Sequence, residues 1–99
     1  YLIGEYPAEG WNQDFARKAL RWERRMEFAM EGDRFFDLVR WGIAEETMNS
    51  YIVVEQNKRV YYRGARFIGG RDEYLPIPNA QYNFSEGTYV QNPGYGKFN

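Results

Sequence analysis

The sequence predicts a mainly α chain: three helices followed by a long, irregular, aromatic-rich tail. Three observations carry this. Apolar residues recur at helical spacing after Asn12, with Phe15, Ala19, Trp22, Met26, Ala29 and Met30 on one stripe. Gly32 and Gly42 then punctuate the chain where helices would end. From Tyr61 onward lie six of the ten glycines and three of the four prolines, a composition that breaks long regular elements.

In the first helix Asn12 is placed as N-cap and Asp14 puts negative charge in the first turn, and the pattern runs to about Glu31. Its apolar stripe is the expected core face. Arg17, Lys18, Arg21, Arg24 and Arg25 lie opposite, with Phe28 among them, and Glu23, Glu27 and Glu31 recur along one flank. Asp33 is positioned to cap a shorter helix from Arg34 to Trp41, which Gly42 stops. A third helix is predicted from about Ala44 to Asn57, opened by Glu45 and Glu46, with Ala44, Met48, Tyr51 and Ile52 on one face; the run Ile52-Val53-Val54 is also compatible with a strand. In the tail, Leu75-Pro76-Ile77-Pro78 reads as extended and Asn92-Pro93-Gly94 as a turn.

Ninety-nine residues that are 43% hydrophobic suit one domain, residues 1–99, with a helical part over about 12–58 and the tail over about 59–99. The chain opens on Tyr1 with no charged-then-apolar leader, so it reads as a fragment whose natural start lies upstream. A formal net charge of -1 supplies no field for phosphate backbones, and nucleic acid is not an expected partner. No Cys and no His are present, which removes thiolate and imidazole chemistry and the commonest metal ligands. No cofactor is expected.

Glu23, Glu27 and Glu31 put three carboxylates on one helix flank, the spacing of a carboxylate metal site or an acid-base pair. Helical di-metal sites add His from facing helices, so an ion-pair role is favoured. Arginine outnumbers lysine ten to three, and its guanidinium fork suits carboxylates; Arg34 and Arg40 are the candidate partners of Glu23 and Glu27, with Asp37 and Arg40 completing the network. Trp22 and Trp41 sit at positions suited to packing. Gly64 and Gly69-Gly70 lack the spacing of a phosphate-cradling loop. The tail aromatics, among them Tyr74, Tyr82 and Phe84, are too apolar for disorder and should lie over a surface, part of it belonging to the rest of the parent chain or to a second chain.

Two segments carry a family resemblance. The run from Glu23, Arg24 and Arg25 through Glu27, Glu31, Gly32, Arg34, Asp37 and Arg40 to Trp41 and Gly42 resembles the signature near the C-terminus of SusD/RagB proteins. Tyr74-Leu75-Pro76-Ile77-Pro78, followed by Gln91-Asn92-Pro93-Gly94-Tyr95, resembles the ending of the same family. The resemblance covers about Phe15 to Tyr95 and is weakest between Ile43 and Asp72.

That resemblance implies the C-terminal part of a larger, tetratricopeptide-containing α fold, packed on an N-terminal part of the same protein that this chain lacks. It implies a surface-exposed outer-membrane lipoprotein, anchored through an N-terminal Cys absent here, that captures oligosaccharide without catalysis and passes it to a TonB-dependent transporter. It assigns no ligand residue. From the residues themselves, Tyr61, Tyr62, Tyr89, Asn92 and Arg63 offer the rings and polar groups that saccharides use, with packing as the plainer role. Two alternatives stand beside glycan capture: a segment that only braces the scaffold, and a glycosidase pairing Asp72 or Glu73 with a helix glutamate.

Overall fold

A computed structural model describes residues 4–98. The chain runs α1 (Gln13–Glu27), α2 (Arg34–Arg40), α3 (Ala44–Glu55), a 3₁₀ turn (Val60–Tyr62) and α4 (Asn79–Phe84). No strand occurs among the described residues, so the mainly helical class holds and Ile52-Val53-Val54 is helical. The chain divides into two units, one ending at Phe36 and one beginning at Asp37.

In the first unit, α1 starts where its cap predicts. The Asn12 side-chain oxygen accepts the Phe15 N–H at 2.9 Å, satisfying a donor that has no partner within the helix. The helix ends at Glu27, four residues short of the expected Glu31. Phe28 N–H still reaches the Arg24 carbonyl, but Met30 turns left-handed at φ 70° and Gly32 follows at φ 84°. Ala29, Met30 and Glu31 all favour helix, so their own propensities do not write this stop. Ahead of α1, the rings of Tyr6, Trp11 and Phe15 form an aromatic knot with centroid separations of 5.2–6.1 Å.

The stripe of α1 is not the buried core face that its spacing suggests. Ala19 is buried, whereas Trp22 and Met26 are each 54% exposed and Met30 is wholly exposed. One helix with a short aromatic knot lacks the material to cover a stripe this long. Glu23 and Glu27 are likewise exposed, so the desolvation that would make ion-pair partners obligatory does not act on them in this unit.

The second unit has a small core of Leu38, Ala44 and Phe67, with Asp37 buried beside them in sequence and paired with Arg40 at 2.5 Å. The α2 helix closes as Gly42 predicts: Gly42 takes φ 71°, its N–H reaches the Val39 carbonyl at 3.0 Å, and Ile43 N–H reaches Leu38 at 3.0 Å. In α3 the acids Glu45 and Glu46 occupy the first turn, Ala44 is buried, Met48 and Ile52 are half-buried, and Tyr51 is exposed. The helix stops at Glu55, not Asn57, and the Asn57 side chain closes its end by donating to the Val53 carbonyl at 3.1 Å.

The tail contains one element its composition hides. The Pro78 carbonyl accepts from Gln81 and Tyr82 N–H groups and starts α4, six residues long. The same double hydrogen bond that ends α2 ends α4, from Gly87 to Tyr82 and from Glu86 to Asn83, but here the left-handed position is Glu86 at φ 53°. A β-carbon is disfavoured in that conformation by about 1–2 kcal/mol. Glu86 is exposed and loses no packing on truncation. Glu86→Gly is therefore expected to raise stability by about 0.5–1 kcal/mol, the relief exceeding the added chain entropy. A urea unfolding curve with an unchanged or lower midpoint would contradict this.

Candidate functional site

Parts of the second unit's irregular chain are held by side chains that stand in for backbone. Pro76 and Pro78 have no N–H, so Leu75-Pro76-Ile77-Pro78 lacks the donors that a central strand would need, and only Ile77 between the prolines offers both a donor and an acceptor. Gln91 supplies the missing pairing. Its amide oxygen accepts the Ile77 N–H at 2.8 Å, its amide nitrogen donates to the Ile77 carbonyl at 3.0 Å, and the oxygen also accepts the Asn92 N–H at 2.9 Å. An amide side chain presents the same donor and acceptor as a peptide unit, which is why Gln or Asn suits this task. Asn92 adds a bond to the Leu75 carbonyl at 2.7 Å, and the Tyr95 hydroxyl donates to the Tyr74 carbonyl at 2.6 Å. The two tail motifs singled out in the sequence are thus one hydrogen-bonded unit.

The same device recurs on α3. Asn49 accepts the Phe67 N–H at 2.8 Å and donates to the Phe67 carbonyl at 2.9 Å, fixing the buried Phe67 against the helix. Next to it in the chain, Gly69 runs so close to Glu45 that a β-carbon would lie 2.5 Å from a carboxylate oxygen.

The Asn92-Pro93-Gly94 turn forms as predicted, with Tyr95 N–H reaching the Asn92 carbonyl at 3.4 Å and Gly94 at φ 81°. Gly94 is required twice over, because a β-carbon there would also lie 2.7 Å from the Arg71 side chain. Arg71 lays its guanidinium 6.0 Å from the Tyr95 ring centre and pairs with Asp72 at 2.6 Å and 3.1 Å. Asp72 also accepts the Ile68 N–H at 2.7 Å. Arg71, with the Ile68 N–H, holds the Asp72 carboxyl below its usual range and itself titrates higher. A carboxyl whose ionised form is favoured in this way does not suit the proton-donating acid of a glycosidase, whose pKa is raised. Glu73, the other tail acid considered for that role, has one carboxylate oxygen buried without a hydrogen-bond partner.

The signature residues of the front run separate by role. Tyr6 donates its hydroxyl to Glu23 at 2.8 Å, and that bond raises the phenol's pKa. Arg24 lies over Phe28 at 4.8 Å and Arg25 over Trp22 at 5.3 Å. With Arg34 and Gly32 they line an open concavity of about 500 Å³. Arg40 goes to Asp37, as its spacing predicts, and lies over half-buried Trp41 at 5.9 Å. No three metal-ligating side chains cluster among the described residues, and no helix is long and apolar enough to cross a membrane.

Four of the five candidate saccharide residues fall in two places, and the fifth, Arg63, is exposed next to Tyr62 in the chain. Tyr61 and Tyr62 sit with Tyr51 in an exposed ring cluster, centroids 4.7 Å and 6.3 Å apart, where Arg59 donates to the Tyr61 hydroxyl at 2.8 Å and is itself paired with Glu55 at 3.7 Å. Tyr89 and Asn92 instead line a concavity of about 460 Å³ with Tyr82, Tyr95, Lys97 and Phe98. Sequence reading missed the roles of Gln91, Asn49, Arg71 and Tyr6. Only the first had a signal, an amide residue beside a turn facing a Pro-x-Pro segment whose backbone needs partners.

The SusD family model matches residues 3–95, spanning both units and both motifs. The chain belongs to the SusD/RagB family. No curated protein matches it. SusD proteins are non-catalytic, glycan-binding lipoproteins of the outer-membrane surface with a largely helical fold, in keeping with the helices seen here.

Two outcomes follow from the clamp. Gln91→Glu keeps the acceptor but removes the donor to the Ile77 carbonyl, and it should destabilise the chain by about 1–3 kcal/mol in urea unfolding; an unchanged midpoint would mean that solvent already satisfies Ile77. For Asp72, a carboxyl lowered in the folded state contributes stability that is complete above its ordinary value of 3.8 and is lost as pH falls through the lowered one. Wild type should therefore lose more stability than Asp72→Asn as pH drops below about 4, and parallel melting-temperature profiles would contradict the pairing.

Proposed function

We propose that this chain is the C-terminal bracing part of a lipid-anchored SusD protein that captures oligosaccharide at the cell surface and delivers it to a TonB-dependent outer-membrane transporter. Family membership over residues 3–95 carries this reading. In it, the lipidated Cys belongs to an N-terminal part of the protein.

The signature residues act structurally. Gly32, Gly42 and Gly94 provide left-handed turns, Pro76, Pro78 and Pro93 fix extended or turn backbone, and Gln91, Asn92 and Tyr95 tie the two ends of the tail. The open stripe of Trp22, Met26 and Met30, together with Leu75 and Phe84 at 84% and 88% exposure, is covered by helical repeats of the same protein. These contacts favour the bracing role for most of the segment, with glycan held largely by the rest of the molecule.

The test is an oligosaccharide panel titrated into the full-length protein, followed by chromatography of the recovered sugar and co-isolation of the transporter from outer membranes. Saturable binding, sugar recovered intact and a co-isolated transporter are expected. Absence of binding to every member of the panel, or recovery of shortened sugar, would contradict the reading.

A further inference from the structure

We propose that the tail concavity lined by Tyr82, Tyr89, Tyr95, Lys97 and Phe98 is a saccharide subsite selective for a sugar unit bearing a negative charge. This deepens the glycan-binding reading above and rests on it. At about 460 Å³ the concavity lies within the range of small-ligand sites, roughly 300–1,000 Å³.

Its walls are aromatic and fixed. Tyr82 and Phe98 stack at 4.3 Å with their planes 16° apart, and Tyr95 is anchored through its hydroxyl to the Tyr74 carbonyl. The Asn92-Pro93-Gly94 turn, held by the Gln91 and Asn92 amides, also lines it. Aromatic faces placed in this way accept the C–H face of a pyranose ring, and a site already ordered does not lose further chain entropy on binding.

The polar groups decide the ligand class. Gln91 and Asn92, the amides that would otherwise read neutral hydroxyls, are committed to Ile77 and Leu75. What the lining leaves uncommitted among the described residues is the Lys97 ammonium and the hydroxyls of Tyr82 and Tyr89, and no Asp or Glu lines the concavity. An ammonium that shares its concavity with no Asp or Glu among the described residues favours a ligand that brings its own anion, a sugar carboxylate or sulfate. The cluster of Tyr51, Tyr61 and Tyr62 offers rings too, but Arg59, which bonds to it, is already bound to Glu55 and to Tyr61.

The experiment titrates the full-length protein with three probes of equal length: a neutral oligosaccharide, an oligouronate and a sulfated oligosaccharide. Affinity is read by calorimetry and location by the amide NMR shifts of Gly87, Gly94 and Gly96. The charged probes should move those three signals and bind roughly five- to tenfold tighter than the neutral one at low salt. Lys97→Gln, at an exposed position, should erase that difference, and Tyr89→Ala should weaken all three probes. Preference for the uronate or for the sulfate identifies the anion. Charged-probe affinity unchanged by both substitutions, with the glycine signals unmoved, overturns the subsite while leaving glycan capture intact. Equal affinity for neutral and charged probes overturns the charge selectivity, and failure of all three probes to bind anywhere overturns the glycan-binding reading itself.

Discussion

A backbone interrupted by proline at every second residue cannot satisfy itself, and the second unit is organised around that constraint. Between Leu75 and Pro78 two of the four residues have no N–H to donate, and one side-chain amide, that of Gln91, pairs with both polar groups of Ile77. Because Gln91 also accepts from Asn92, the same oxygen that holds Ile77 sets the entry to the turn. The turn needs glycine at position 94 for its left-handed backbone and for clearance from Arg71, whose position depends in turn on Asp72 and so on the Ile68 amide. Each link is a polar contact of modest net value, and the chain of them gives an otherwise irregular tail a defined shape.

This economy fits a segment with little core. Among the described residues four apolar side chains are buried, while Trp22, Met26, Leu75, Phe84 and Val90 remain open. Amide clamps at Gln91 and Asn49 achieve locally what burial does not, and broad apolar faces stay open. The arginines serve the same end. Arg24, Arg25, Arg40 and Arg71 each lie near an aromatic ring, using the flat guanidinium as a packing surface as much as a charge.

Much of this was legible in the sequence wherever a residue type has one physical use. Asn12 at a helix start, Gly42 at a helix end and Asn92-Pro93-Gly94 as a turn are local statements, and the structure places each as read. The stop at Glu27 was not legible, because Ala29, Met30 and Glu31 favour helix and the left-handed turn at Met30 leaves no mark in composition. Nor was α4, whose asparagines are poor helix formers and which starts from the Pro78 carbonyl without a side-chain cap. The pairings of Glu23 and Glu27 with Arg34 and Arg40 assumed burial that this unit lacks. For the tail, the family resemblance put the two motifs together but did not say how they join, since the Gln91 clamp links residues 14 apart through side-chain atoms that no periodicity encodes.

The most direct test of the clamp is hydrogen exchange of the Ile77 and Phe67 amides, read residue by residue by NMR. Both should exchange at least about a hundredfold more slowly than free peptide, as groups opened only by disrupting the tail. Exchange of Ile77 at the free-peptide rate would show that Gln91 does not hold it, and the account of the tail as a side-chain-paired brace would fail.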